Sequence, residues 1–227
     1  MPFESRLFAF TPNDASLKYD RRDIYLVGSD ASWDEIGLKL RDVEPKGSIT
    51  SGTQSGILEL KFRSEETSGV EAWSKVLKNA GSFPLGDSTA LLKCAAKGVP
   101  ANLKTVHETL NRPTSHFAWV AVDKRVRKDE NSAFGVKETS WLRITVVDAS
   151  EPESKPMVYQ IKTYSAEARD PSGPALFLKT MRKEQDVTGG YPSFLRRLCR
   201  TCLPAWAADA ELIATVEPIS AELLRDD

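Results

Sequence analysis

Basic side chains alternate with apolar ones in several segments of this sequence. Around residue 40, Ile36, Leu38 and Leu40 alternate with Lys39 and Arg41. Successive side chains of a β-strand point to opposite faces, so such a strand presents its cations on one face. Arginine and lysine gathered in this way bind phosphate groups, arginine in a bidentate manner and lysine as a point charge. Across five predicted strands the polar faces carry these cations: Lys39, Arg41, Lys61, Arg63, Arg125, Arg127, Arg143 and Lys162.

The same faces carry few compensating acids, namely Glu35, Glu59 and Asp123. Like charges on neighbouring strands repel unless an anion or inward-facing acids offset them. A closed or strongly curled sheet with its polar faces inward would gather the cations around one cavity, which predicts a phosphate-rich ligand. Two alternatives stay open. One is a half-solvated sheet whose outer face is basic, and the other is a basic face that meets an acidic protein partner.

The elements that must position these residues are mostly strands. Alternating or β-rich segments are separated by turn-forming clusters such as the one at residues 11–14. The predicted strands are Glu4–Phe10, Asp23–Val27, Glu35–Val43, Ile57–Arg63, Phe117–Arg127, Glu138–Val147 and Met157–Ala168.

Helices interrupt and follow these strands. Val70, Trp73 and Leu77 fall at helical spacing between Ser68 and Gly81, which predicts a helix over 69–80. Strands punctuated by blocks of helix, without regular βαβ alternation, predict an α+β protein with a mainly antiparallel sheet. We expect one domain over 1–227, with 171–227 as a helical C-terminal segment. The other predicted helices are 88–97, 103–110, 175–184, 192–203 and parts of 207–224.

Composition narrows the classes of partner. The 227 residues carry 31 Lys+Arg and 32 Asp+Glu, a formal charge of -1, which argues against a partner as extended as a long nucleic acid. Three cysteines favour a reducing compartment over a disulfide-linked secreted fold. The N-terminal residues lack the pattern of a signal peptide, and no apolar run reaches about 18 residues. We therefore expect a cytoplasmic protein that does not contact a membrane.

Cys199 and Cys202 have the C-x-x-C spacing, but a second such pair is absent from the sequence. A zinc site would need His107 or His116 to complete it, and buried helix cysteines are the default interpretation. The sequence leaves the role of this pair open.

Seven short segments of the sequence match the pattern of a known family: Gly37–Arg41, Leu58–Arg63, Gly69–Trp73, Val122–Arg127, Glu138, Ser165–Glu167 and Gly190–Leu195. Together they resemble the triphosphate tunnel metalloenzyme superfamily, also called the CYTH domain. The resemblance covers roughly residues 23–198. It implies an antiparallel β-barrel, or tunnel, with helices packed outside and a helical C-terminal segment.

The resemblance also implies a reaction. It implies metal-dependent hydrolysis of a triphosphate or polyphosphate, in which Mg²⁺ or Mn²⁺ held by carboxylates bridges phosphate oxygens and the cations neutralise the remaining charge. The implied metal ligands are Glu4, Glu59, Glu138 and Glu167, and Glu138 and Glu167 are also the implied catalytic residues. The alternative is a barrel that binds phosphorylated ligands without hydrolysing them.

The N-terminal strand departs from the family's pattern, which bears on catalysis more than on the fold. The family's Glu-x-Glu-x-Lys strand corresponds here to Glu4-Ser5-Arg6-Leu7-Phe8. An arginine and a phenylalanine thus stand in place of an acid and a lysine. Arg169 also stands where another acid is expected.

Overall fold

The computed structural model describes residues 2–43, 48–112, 116–184 and 186–208, with the side chains of 130–132 and 207–208 excepted. It is a mixed α+β fold dominated by one antiparallel sheet. Its strands are β1 (Phe3–Phe10), β2 (Arg21–Gly28), β3 (Ile36–Val43), β4 (Thr53–Thr67), β5 (Val70–Pro84), β6 (Phe117–Ser132), β7 (Gly135–Asp148), β8 (Met157–Ala168) and β9 (Val187–Thr188). Its helices are α1 (Ser88–Lys97), α2 (Lys104–Asn111), α3 (Ser172–Met181), α4 (Tyr191–Cys202) and α5 (Pro204–Ala208), with a short 3₁₀ helix at Ala31–Asp34.

The strands form a ring. The order is β5-β4-β3-β2-β6-β7-β8-β1, and β1 also pairs with β5, which closes the circle. The closing contact pairs Phe3–Ser5 of β1 with Val70–Ala72 of β5. Further along β1, Leu7 and Phe8 pair with β9 instead. The ring therefore has an inner and an outer face, and each strand alternates between them.

The segment predicted as a helix over 69–80 is strand β5, so that prediction is wrong. Thr67 and Val70 are direct cross-strand partners, so β4 and β5 form a hairpin around Ser68 and Gly69. Both turn residues have positive φ angles, of 52° and 82°, as in a type I′ turn. Two register shifts along the hairpin disturb the simple alternation of β5, which helps to explain why its apolar spacing resembled that of a helix.

Three helices pack against the outer face. Leu91 and Val106, from α1 and α2, share one buried core with Leu38 and Leu60 of the ring. Phe177 of α3 belongs to a smaller core. The Asp87 carboxylate accepts a hydrogen bond from the Ala90 amide and caps α1. The outer face of β2–β5 is thus the apolar face, which turns the polar face of β3 and β4 inward.

Helix α4 packs against the inner face, which corrects the expectation that the helices lie outside. Phe194 stacks on Phe8 with ring centroids 3.9 Å apart. Phe194, Leu195 and Leu198 share a buried core with Tyr25 and Ile144. Arg196 fixes the helix laterally, because its Nε donates to Asp34 at 2.7 Å. One end of the ring is therefore filled with apolar side chains.

The described part of the C-terminal segment contains α3, α4 and α5, with the short strand β9 between α3 and α4. The predicted helical parts beyond residue 208 lie outside the described residues. In the described part of the chain, no helix has the length and hydropathy needed to span a bilayer.

Candidate functional site

A polar cavity of about 280 Å³ lies on the inner face of the ring. Glycines 37 and 190 let chain segments approach each other at its wall. A Cβ on Gly190 would lie 2.5 Å from a Glu71 carboxylate oxygen and 2.8 Å from the Trp73 ring, so a larger residue just before α4 would force these side chains to shift. The charged lining residues are the cations Arg6, Arg21, Lys39, Arg41, Lys61, Lys124 and Lys128 and the carboxylates Glu4, Glu59, Glu138 and Glu167. Cations outnumber carboxylates in the lining.

Lys39, Arg41 and Lys61 lie in the cavity wall, and two of them are paired. Lys39 Nζ lies 3.0 Å from the Asp23 carboxylate, and Arg41 donates to Glu59 at 3.0 Å. These contacts hold both carboxylates ionised. Burial alone would raise the pKa of Glu59, but the surrounding cations, Lys39 first, keep it below its ordinary value. Glu59 is therefore engaged with cations of the protein.

Lys61 differs from the other two because it forms no salt bridge among the described residues. Burial and repulsion from Lys39 lower the pKa of its ammonium group, and the more distant carboxylates of Glu59 and Glu4 only partly offset this. Lys61 is therefore a half-buried ammonium in the cavity wall whose charge has no close counterion among the described residues.

A second cluster of charged side chains, centred on Asp23, lies deeper in the cavity wall. Asp23 is fully buried, and its carboxylate lies 3.0 Å from the ammonium groups of both Lys39 and Lys124. Burial would raise the pKa of Asp23, and Lys124, Lys39 and Arg21 instead lower it strongly. The Lys124 ammonium also lies 4.2 Å from the centroid of the Tyr191 ring. This cluster fixes the cationic wall where strand β2 meets strand β6.

Glu4 and Arg6 lie side by side on strand β1. The Arg6 Nη2 atom bonds to the Glu4 carboxylate. Burial alone would raise the pKa of Glu4, but Arg6, together with Lys61 and Lys124, lowers it. The Arg6 guanidinium also covers the Tyr191 ring, 4.6 Å from its centroid. Its burial is compensated mainly by Glu4, which raises the pKa of Arg6.

The residues implied as metal ligands all line the cavity but do not form a metal site. Among the described residues no group of three or more carboxylate, histidine or cysteine side chains is close enough to hold a metal ion. Glu4 bonds to Arg6, Glu59 is held by Lys39 and Arg41, and Glu138 accepts from Ser140 at 2.9 Å. Glu167 is exposed at the mouth. Two of the four carboxylates are held by cations of the protein and the four do not converge, so the set does not fit Mg²⁺ or Mn²⁺ as arranged.

The other predicted phosphate ligands lie elsewhere. Arg63 lines a neighbouring cavity and donates to Glu71 at 3.1 Å. On strands β6, β7 and β8 the predicted basic face is the outer face. Arg125 and Arg127 are exposed, and Lys162 lies over Trp141 on the same side. Arg143 is bound to Asp123 at 2.8 Å. The expectation that all five basic faces turn into one cavity is therefore wrong for these three strands.

Sequence reasoning missed four of the cavity cations: Arg6 as a ligand, Arg21, Lys124 and Lys128. Lys124 lies on the same face of β6 as the buried Val120 and Val122, opposite the face that carries the predicted ligands Arg125 and Arg127. A cation at the end of an apolar stripe is the signal that could have revealed it, because a lysine facing a filled core needs a polar space at that point.

The cysteine pair of α4 has a structural position. Cys199 is fully buried in the inner core. Burial raises the pKa of Cys202 to about 11, although its contact with the Tyr159 hydroxyl works in the opposite direction. Neither thiol is poised to act as a thiolate at neutral pH.

Comparison with known proteins returns nothing: no family model, no curated protein and no solved structure matches this chain. The resemblance to the triphosphate tunnel superfamily therefore stays a prediction, and what the cavity does must be argued from its geometry.

Proposed function

We propose that the cavity binds a small ligand that contains a triphosphate or polyphosphate group. The observation that carries the proposal is Lys61, a half-buried cation that lines the cavity and forms no salt bridge with any described residue. Lys39, Arg41 and Lys124 surround the same space, so a bound anion would interact with several cations at once. The cavity has a volume of about 280 Å³, which suits a compact anion better than a long polymer.

A second candidate function is metal-dependent hydrolysis of the same ligand. It is favoured by the position of three carboxylates, Glu4, Glu138 and Glu167, on neighbouring strands of the cavity wall. Magnesium or manganese would supply charge neutralisation of the transferring phosphoryl group. For hydrolysis, Glu4 would first have to exchange its contact with Arg6 for the metal.

Binding is tested by calorimetric titration of the full chain with tripolyphosphate. Replacing Lys61→Met removes the unpaired cation while keeping much of the side-chain length. We expect it to weaken binding by at least about tenfold, the size of one charge-assisted hydrogen bond. The matched control is Lys93→Met, an exposed lysine on α1, which is expected to leave binding unchanged. Equal affinities for the two variants would contradict the proposed site.

Hydrolysis is tested separately by phosphate release from tripolyphosphate, ATP and thiamine triphosphate, each with Mg²⁺ or Mn²⁺. Metal-stimulated release that is lost in Glu138→Gln would support the enzymatic candidate. Tight binding without release would leave a non-catalytic binding protein.

A further inference from the structure

Arg6 has hydrogen-bonding capacity that the described protein does not use. Its side chain is about 10% exposed and lines the cavity. Nη2 bonds to Glu4, but buried Nε and Nη1 have no hydrogen-bond partner among the described residues. Buried polar groups are almost always satisfied, and each exception calls for an explanation. Arg6 therefore brings to the cavity wall a cation whose hydrogen-bond donors are only partly used, and a bound anion can pair with Nε and Nη1 once the side chain turns toward the cavity.

Two of the carboxylates near Arg6 already have arginine partners. Glu4 of β1 lies directly opposite Glu71 of β5 on one side and Glu167 of β8 on the other. Like charges in such positions repel unless cations offset them. Arg6 offsets Glu4, and Arg63 offsets Glu71 through a contact of 3.1 Å. At Glu4 and Glu71, arginines thus neutralise the charge that a divalent ion would otherwise neutralise.

We propose that this chain binds its phosphate-rich ligand without a divalent metal ion, and that Arg6 supplies the cation at that position. The planar guanidinium presents its forks at Nε/Nη2 and Nη1/Nη2, so while Nη2 stays on Glu4 the Nε and Nη1 groups can each donate one hydrogen bond to a phosphate oxygen. Lys61 and Lys124, on the neighbouring wall, neutralise the remaining charge of the ligand. This inference rests on the proposed function, because it concerns how the same cavity binds its ligand.

The first test uses the unaltered chain. Tripolyphosphate is titrated by calorimetry once in EDTA and once in excess Mg²⁺, and Mg²⁺ and Mn²⁺ are each titrated alone. We expect the affinity in EDTA to be within about threefold of that in Mg²⁺, or tighter, and no measurable binding of either metal to the free protein. Binding that requires Mg²⁺ would overturn this inference and leave the proposed function standing. No binding in either buffer would overturn the proposed function itself.

The second test isolates Arg6. In EDTA, Arg6→Gln is expected to weaken tripolyphosphate binding at least tenfold, whereas Arg6→Lys, which keeps the charge and loses the fork, is expected to give an intermediate affinity. The matched control is Arg182→Gln, an exposed arginine beyond α3, with an affinity within twofold of the original. Circular dichroism confirms that each variant is folded. If Arg6→Gln is folded and binds as tightly as the control, Arg6 does not supply the cation. If it does not fold, the buffer comparison on the unaltered chain decides.

The reverse substitution sharpens the result. Arg6→Glu places a second carboxylate beside Glu4 and near Glu167, which creates the donor set that Mg²⁺ requires. We expect this variant to bind tripolyphosphate at least tenfold more tightly in Mg²⁺ than in EDTA. The same Mg²⁺ dependence in the unaltered chain would contradict the inference.

Discussion

Strands β3 and β4 carry the same alternation of apolar and basic residues as β6, β7 and β8, yet the two regions turn opposite faces to the inside of the ring. Lys39 and Lys61 line the cavity, whereas Arg125 and Lys162 lie on the outer surface. The difference follows from the helices. α1 and α2 cover the apolar face of the first region from outside, and α4 covers the apolar face of the second from inside. Alternation defines two faces, and the packing partner decides which one is inner.

The largest effect is expected where α4 fills the ring. Phe194 is fully buried and stacked on Phe8, so Phe194→Ala removes packing that the neighbouring side chains cannot restore. We expect a loss of about 3–5 kcal/mol in the free energy of unfolding, measured by urea denaturation. Leu176→Ala, at an exposed position on α3, should change it by less than about 0.5 kcal/mol. Similar losses for both would mean that α4 does not fill the ring as described.

The next largest effect is expected on ligand binding, where a cation of the cavity is compared with two cations of the outer face. Lys61→Met should lose about 1.5–3 kcal/mol of tripolyphosphate binding energy, since a desolvated charge-assisted contact disappears. The double variant Arg125→Gln/Lys162→Gln removes two cations from the outer face and should stay within about twofold in affinity, because exposed charges are screened by solvent and salt. Calorimetry at two salt concentrations measures both. A larger loss for the outer double variant would reverse the assignment of the faces.

The sequence predicted most strands and the pairing of basic with apolar faces, because alternation is local. It did not predict which way Arg125 or Arg143 points, because that depends on α4, which lies far away in the sequence. The hairpin turn at Ser68 and Gly69 was not predicted, because the apolar spacing that follows it was interpreted as that of a helix. In the sequence, Arg6 stood out only as a departure from the family's pattern, and Glu4 only as an implied metal ligand. The contact between the two side chains could not be predicted from the sequence.

The inner charge cluster should also respond to pH. In the folded chain, burial would raise the pKa of Asp23, but Lys124 and Lys39 lower it. In the unfolded chain its pKa stays near 3.8. The unfolded state therefore binds protons first as the pH falls, so the stabilisation is present above about pH 5 and is lost below it. We expect about 1 kcal/mol of stability to disappear on this account between pH 6 and pH 3, with a further loss at lower pH. Urea denaturation at each pH should show that the free energy of unfolding of Asp23→Asn falls less steeply with falling pH than that of the unaltered chain. An equal dependence on pH would contradict this role of Asp23.

The smallest effect is expected on the outer face of β7 and β8. Lys162 lies 5.3 Å from the ring centroid of Trp141 and 5.1 Å from that of Tyr164, on a surface that the described helices leave open. Cation–π contacts of this exposed kind contribute about 0.5–1 kcal/mol, so Lys162→Met should lower the free energy of unfolding by no more than that. Lys155→Met, in the exposed loop before β8, is the matched control and should have no effect. A loss above about 2 kcal/mol would show that the outer cations hold the sheet together. The outer cations would then stabilise the folded sheet as the inner ones do, and the two sets would differ only in how much they contribute to the free energy of unfolding.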